Sequence, residues 1–179
     1  LDRLDLDGHS GSLDAALAAA RARGVGKFLC IGVDAANAPV VKSLAGRYPD
    51  VYCSVGIHPL DLDADSSTSF DWLLKTLDHP RVVAIGETGL DYHYEPDKAE
   101  AQRESFSCHL QAARHTGKPV IIHTRAARSD TLALLREALR FDPEEDLGPD
   151  TLARLAAAVQ RVYRRAGFST ARVHAGLGA

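Results

Sequence analysis

Four short apolar runs recur along the chain, and none of them alternates cleanly between apolar and polar residues. They read KFLCIGV (27–33), VYCSVGIHP (51–59), RVVAIGET (81–88) and KPVIIHT (118–124). Each run is rich in valine and isoleucine and is too short for a helix. Continuous apolar runs of this length are typical of strands buried on both faces, as in a parallel sheet. The pattern therefore predicts four parallel strands.

Segments with helical periodicity flank these runs. The first begins after Ser12, a candidate N-cap, and ends at Gly24, and the longest ends at Gly117. A regular alternation of such helices with short buried strands indicates an α/β fold. The predicted helices cover residues 12–24, 35–49, 69–80, 97–117 and 129–139.

Three of the predicted strands end on a residue that can bind a metal or act as an acid, namely His58, Glu87 and His123. No GxGxxG motif follows any of the runs, which weakens the case for an open dinucleotide-binding sheet. Polar chemistry at the carboxyl ends of successive strands is typical of a (β/α)₈ or TIM barrel. The sequence therefore predicts part of such a barrel, with about four parallel strands, followed by a C-terminal helical tail.

The βα alternation stops near residue 140 and does not resume. We expect residues 1–140 to form the partial barrel and residues 141–149 an acidic linker that contains prolines. Residues 150–179 predict a basic amphipathic helix with a short tail.

The composition gives the chain no bulk attraction to nucleic acid. Its 21 Lys and Arg and 24 Asp and Glu leave a net charge of −3, so binding to nucleic acid would need a local basic patch. No apolar stretch approaches the roughly 18 to 20 residues of a membrane helix, and we expect no membrane partner.

The cysteine and methionine content bears on the cellular location and on the start of the chain. Cys30, Cys53 and Cys108 are odd in number and unclustered, which predicts buried free thiols in a reducing compartment and so a cytoplasmic location. The chain contains no methionine, so we expect that Leu1 is not a translation start.

Glu87, His123 and His58 are the candidate metal ligands. A carboxylate and neutral imidazoles at neighbouring strand ends can converge on one cation, and a single glutamate can bridge two. A buried carboxylate is costly unless it is coordinated or paired, and a salt bridge between Glu87 and Arg125 would explain it equally well. The alternative for His58 is a structural hydrogen bond at the turn before Pro59, and this is the simpler interpretation. The alternative for His123 is a buried imidazole whose hydrogen bonds are satisfied within the core.

Residues just beyond these positions are candidates for supporting roles. Asp91 is expected to orient the loop or a metal-bound histidine. Tyr92 and Tyr94 could stack on a base or sugar, although aromatic packing under the loop is the alternative. Arg125 and Arg128 could meet a phosphate or carry solvated charge. Four further histidines are expected at the surface or on helices: His79, His93, His109 and His115.

Three separated motifs closely resemble the TatD family of metal-dependent deoxyribonucleases, in order and at similar spacing. They are VGIHPL, IGETGLDYHYEPDKAEAQRESF and GKPVIIHTRAARSDTLALLRE. The resemblance implies a barrel of the amidohydrolase type that hydrolyses DNA with divalent Mg²⁺, Mn²⁺ or Zn²⁺. It also implies that Glu87 bridges two metals as the catalytic carboxylate and that His123 binds one. His58 matches a position near the site that is not usually a ligand.

The same resemblance implies that residues 1–138 correspond to strands two to five of the barrel, so that the chain is truncated at both ends. The His-x-His pair of the first strand and the later histidine and aspartate ligands have no counterpart. Residues 147–174 faintly resemble part of a POTRA domain. Two other functions stay open, a non-catalytic fragment or pseudoenzyme and an amidohydrolase that acts on a small amide or lactone. A half barrel exposes two sheet edges, which predicts self-association.

Overall fold

A computed structural model of the chain describes residues 1–9, 11–62 and 68–139. Within these residues four parallel strands form one sheet in the order β1-β2-β3-β4. All four predicted strands are confirmed, although β3 extends beyond its predicted end. The strands are β1 (Phe28–Cys30), β2 (Val51–Val55), β3 (Val82–Asp91) and β4 (Val120–Arg125).

Five α-helices alternate with the strands in the described residues, so that each strand returns parallel to the one before it. Ser12 caps the first helix by accepting a hydrogen bond from the Ala15 N–H, and Gly117 ends the fourth in a left-handed conformation. Both residues are the ones expected from the sequence. The helices are α1 (Leu13–Ala22), α2 (Asn37–Arg47), α3 (Phe70–Leu77), α4 (Ala99–Thr116) and α5 (Arg128–Leu139).

The main core lies between the sheet and the helices. Val41 from α2 and Leu73 from α3 pack with Val55 and Ile85 of the central strands, and all four are fully buried. The central strands β2 and β3 are largely buried, as their continuous apolar sequences predict. The expectation of burial on both faces is wrong for β4, which lies at the edge of the described sheet and exposes Ile122. This packing fixes the sheet whose carboxyl edge carries the polar residues described below.

The structure bears on the expectations made for the cysteines and for a membrane helix. Cys30 and Cys53 are buried free thiols, and burial raises the pKa of Cys53 to about 12, whereas Cys108 is only half-buried. No helix in the described part of the chain is both long and apolar enough to cross a membrane. The predicted linker (141–149) and C-terminal helix (150–179) lie outside the described residues.

Candidate metal centre

Three side chains converge at the carboxyl edge of the sheet. His58 follows β2, Glu87 lies in β3 and His123 lies in β4, and one ligand atom from each lies within 4.8 Å of the other two. Their placement follows from the parallel sheet, because the carboxyl ends of neighbouring strands meet at one edge. All three side chains are partly buried, so they face one another and remain accessible.

Glu87 does not end its strand, and the prediction that it does is wrong. Strand β3 continues through Thr88 to Asp91, and the Glu87 side chain is 31% exposed rather than fully buried. The N–H of Glu87 donates to the carbonyl of Gly32, just after β1, at 2.7 Å. Because the strand is longer, both Glu87 and Asp91 lie beside β4 and contact His123.

Gly89 explains how β3 continues past Glu87. Its φ is +140°, a conformation that L side chains rarely adopt, and a Cβ added there would lie 2.0 Å from the carbonyl oxygen of His123. Gly89 pairs with His123 in the β3–β4 register. Gly89, the second glycine of the GETGLD motif, thus lets the two backbones approach closely enough to bring Glu87 and His123 together.

His123 is held between two carboxylates. Its Nε2 lies 2.9 Å from Oδ2 of Asp91, and its Nδ1 lies 3.5 Å from Oε1 of Glu87. Asp91 is buried, and its Oδ1 accepts hydrogen bonds from the backbone N–H groups of His93 and Tyr94. An ionised carboxylate can only accept, so Nε2 of a neutral His123 carries the proton and Nδ1 keeps a free lone pair beside Glu87.

The environment of Asp91 keeps its carboxylate ionised. Burial acts to raise the pKa of Asp91, but the hydrogen bonds from the Tyr94 N–H, from His123 and from the His93 N–H together outweigh it and hold that pKa below its ordinary value. The carboxylate is therefore a permanent acceptor for His123 at neutral pH. This is the arrangement in which a buried acid orients an imidazole that can bind a metal.

His58 has a different role in the cluster from His123. Its Nδ1 accepts a hydrogen bond from the N–H of Leu60 at 3.2 Å, the bond expected of a histidine at a strand-to-loop turn. Burial, and then the neighbouring His123, lower the pKa of His58 and favour the neutral ring. With Nδ1 engaged as an acceptor, the neutral ring carries its proton on Nε2. His58 therefore offers the site an N–H donor rather than a free lone pair.

The remaining predicted residues lie beside the cluster. Tyr92 donates its hydroxyl hydrogen to Asp130 at 2.7 Å and accepts from Arg103, which ties it between α4 and α5. The guanidinium carbon of Arg125 lies 4.5 Å from the centre of the Tyr94 ring. Arg125 therefore does not form the salt bridge with Glu87 that the sequence left open. The neighbour of the Glu87 carboxylate is His123 instead.

Two buried residues of α4 that support the site were not identified from the sequence. Gln102 accepts from the N–H of Asp91 and donates to the carbonyls of Asp91 and Glu95. His109, expected at the surface or on a helix, is on α4 but fully buried, and its Nε2 accepts from the N–H of Ile57 at 3.0 Å. Their seven-residue spacing puts them on one helix face, and polar residues on an apolar face were the signal available.

Comparisons with known proteins identify relatives of the first three quarters of the chain. A family model described as TatD related DNase matches residues 3–143. The uncharacterized metal-dependent hydrolase YcfH of Escherichia coli K12 is 41% identical over 137 residues, which are 76% of this chain and 51% of that protein. The 3'-5' ssDNA/RNA exonuclease TatD of Salmonella typhimurium LT2 is 34% identical over 122 residues, which are 68% of this chain and 47% of that protein.

A solved structure shows the same architecture. The crystal structure of YjjV, a TatD homologue from Escherichia coli K12, matches with a TM-score of 0.66 and 32% identity, over 72% of this chain and 51% of that chain. The chain spans about half the length of the curated relatives it matches. The prediction of an α/β fold with four parallel strands of a partial barrel is confirmed.

Proposed function

The chain belongs to the family of TatD-related DNases, and from that premise we propose that it carries part of the active site of a metal-dependent hydrolase that cleaves phosphodiester bonds in DNA. The observation that carries the proposal is the meeting of the Glu87 carboxylate with the free Nδ1 of His123 at 3.5 Å. Relatives of the chain are named metal-dependent hydrolases, and one is named an exonuclease of single-stranded DNA and RNA.

The donor set fits a divalent cation. A carboxylate oxygen and a neutral imidazole nitrogen are ligands that Zn²⁺ and Mn²⁺ accept, and the carboxylate alone suits Mg²⁺. Glu87 and His123 would hold the cation, and Glu87 has a second oxygen for a second one, as in a two-metal site. Such a cation, when bound, supplies Lewis acidity and a hydroxide-like nucleophile near neutral pH.

Three side chains of the protein have further roles in this proposal: Asp91, His58 and Glu87. Asp91 keeps the proton of His123 on Nε2 and so keeps Nδ1 available. His58 donates its Nε2–H to a non-bridging phosphate oxygen, because its other nitrogen is occupied by the Leu60 N–H. Glu87 brings a negative charge that would repel a phosphate at the centre unless a cation lies between them, so the cation is needed to place the scissile phosphate there, whereas binding of the rest of the strand does not depend on it.

DNA is the proposed substrate, and membership of the amidohydrolase superfamily and a cytoplasmic location belong to the same proposal. A small amide or lactone is the alternative, because the same carboxylate and imidazole could serve its hydrolysis. The name of the Salmonella relative favours nucleic acid.

The test measures Mn²⁺ binding by calorimetry and cleavage of single-stranded DNA in Mg²⁺ or Mn²⁺, for the whole chain and for Glu87→Gln. We expect the substitution to weaken Mn²⁺ binding by at least about tenfold and to abolish cleavage. Glu104→Gln is the matched control, because it makes the same change at an exposed position of α4. Cleavage that survives Glu87→Gln would contradict the proposal. Mn²⁺ binding without cleavage of DNA would indicate either a non-catalytic fragment or an amidohydrolase. A screen of amide and lactone substrates distinguishes these two alternatives.

A further inference from the structure

An exposed stack of side chains lies beside the metal centre. Tyr94, just after β3, is 60% exposed. The guanidinium carbon of Arg125 lies 4.5 Å from the centre of its ring, and the His93 ring packs edge to face at 4.7 Å. An aromatic ring that is backed by a cation and still largely open to solvent has room for a second planar group.

Asp91 fixes this stack relative to the metal centre. One of its carboxylate oxygens accepts from the N–H groups of His93 and Tyr94, each at 3.0 Å, and the other lies 2.9 Å from Nε2 of His123. Arg125 is two residues beyond His123 in β4, and it pairs with Asp91 in the β3–β4 register. A planar group on Tyr94 would therefore lie next to the centre and on the same rim of the sheet.

The two tyrosines of the motif differ in what they can reach. The Tyr92 hydroxyl is bonded to Asp130 and Arg103 between two helices, so its ring is part of the packing. Tyr94 has its backbone held by Asp91 and its ring exposed. Of the two residues that the sequence offered for stacking, Tyr94 is the one the fold leaves open.

We propose that Tyr94, backed by Arg125, is a stacking subsite for a base of single-stranded DNA, and that Arg125 also contacts the adjacent phosphate. This inference rests on the proposed function, because it takes the substrate class from there. Stacking suits a chain whose net charge is −3, since it supplies affinity that bulk electrostatics cannot. Arg125 supplies a local positive charge for a phosphate, which the net charge of the chain does not provide.

The experiment measures binding of a fluorescein-labelled oligothymidylate by anisotropy in EDTA, where the DNA cannot be cleaved, beside an abasic oligonucleotide of the same length. Tyr94→Ala should weaken binding of the oligothymidylate by about tenfold and leave binding of the abasic strand unchanged. Tyr94→Phe keeps the ring and should bind as the unchanged chain does. Arg125→Gln should weaken both strands and lower the salt dependence by about one phosphate contact.

The outcomes separate this inference from the proposed function. Equal binding by Tyr94→Ala and the unchanged chain would overturn the stacking subsite, as would an equal loss on both strands or no binding of either strand by the unchanged chain. DNA cleavage that depends on Glu87 but not on Tyr94 would overturn the subsite and leave the proposed function in place. Base-dependent binding through Tyr94, without Glu87-dependent metal binding, would support the subsite and overturn the proposed function.

Discussion

Oδ2 of Asp91 lies 2.9 Å from Nε2 of His123, and this hydrogen bond decides which nitrogen of His123 is free. The other oxygen of Asp91 is occupied by two backbone N–H groups, so the carboxylate cannot turn away. The free nitrogen, Nδ1, faces Glu87 at 3.5 Å. Asp91, which is not one of the three clustered residues, thus determines which nitrogen of His123 is available to a metal.

Asp91→Asn should therefore reverse the tautomer of His123. The amide oxygen stays on the two backbone N–H groups, which turns the NH₂ toward Nε2 and forces the ring proton onto Nδ1. We expect Mn²⁺ or Zn²⁺ affinity to fall by about 10- to 100-fold, measured by calorimetry, and the imidazole ¹⁵N shifts of His123 to exchange. Asp97→Asn, at an exposed position, is the control. Unchanged ¹⁵N shifts in Asp91→Asn would contradict the assignment.

Gln102→Leu should destabilise the loop that carries Asp91. The buried amide of Gln102 satisfies the N–H and the carbonyl of Asp91, and a leucine removes both bonds. The Glu95 carbonyl loses Gln102 as well but keeps its bond from the Lys98 N–H. Buried groups left unsatisfied cost about 1 to 3 kcal/mol each, so the free energy of unfolding in urea should fall by at least about 2 kcal/mol. Gln111→Leu, exposed on the same helix, should change it little. Equal stability of the two variants would refute the role given to Gln102.

His109 should make the stability of the fold depend on pH. Burial lowers the pKa of His109 to about 4, although its hydrogen bond to the Ser105 carbonyl acts in the opposite direction. In the unfolded chain the pKa is about 6.5, so between these values the unfolded state binds more protons and stability is lost as the pH falls. The loss is about 1.4 kcal/mol per pH unit, on the order of 3 kcal/mol across the window.

Urea unfolding of the chain and of His109→Gln, at a series of pH values from neutral to 4, measures this contribution. The difference between the two should shrink as the pH falls, because glutamine has no proton to take up. His115→Gln, the same change at an exposed position of the same helix, is the matched control. If the free energies of unfolding of the chain and of His109→Gln change in parallel with pH, protonation of this imidazole is not linked to stability.

The sequence was sufficient for what depends on local pattern. Short apolar runs predicted all four strands, and the rule that parallel strands share a carboxyl edge predicted that Glu87 and His123 would meet. The extension of β3 was missed because Asp91 was expected in a loop, whereas Gly89 serves a close backbone approach to β4 and the strand continues to Asp91. His109 was missed because its partner, the N–H of Ile57, is 52 residues away along the chain. The local signal, a polar residue on the apolar face of α4, does not reveal a partner at that distance along the chain.

Self-association through the sheet edge stays a prediction, and β4 is where it can be tested. In the part of the chain that the structure describes, β4 has a strand neighbour on one side only, and Ile122 in it is 37% exposed. An edge strand with an exposed apolar side chain can pair with another copy, and a charge there opposes such pairing. Sedimentation velocity over a wide range of concentrations should therefore show association for the unchanged chain.

Ile122→Lys should shift that association to concentrations at least about tenfold higher, a change of ~1.4 kcal/mol in the free energy of association. Val40→Lys is the matched control, because it puts the same charge on an exposed apolar position of α2, away from the β4 edge. Circular dichroism of both variants separates a loss of association from a loss of fold. If both lysines reduce association equally, net charge rather than the edge is responsible, and if neither does, the β4 edge is not the contact.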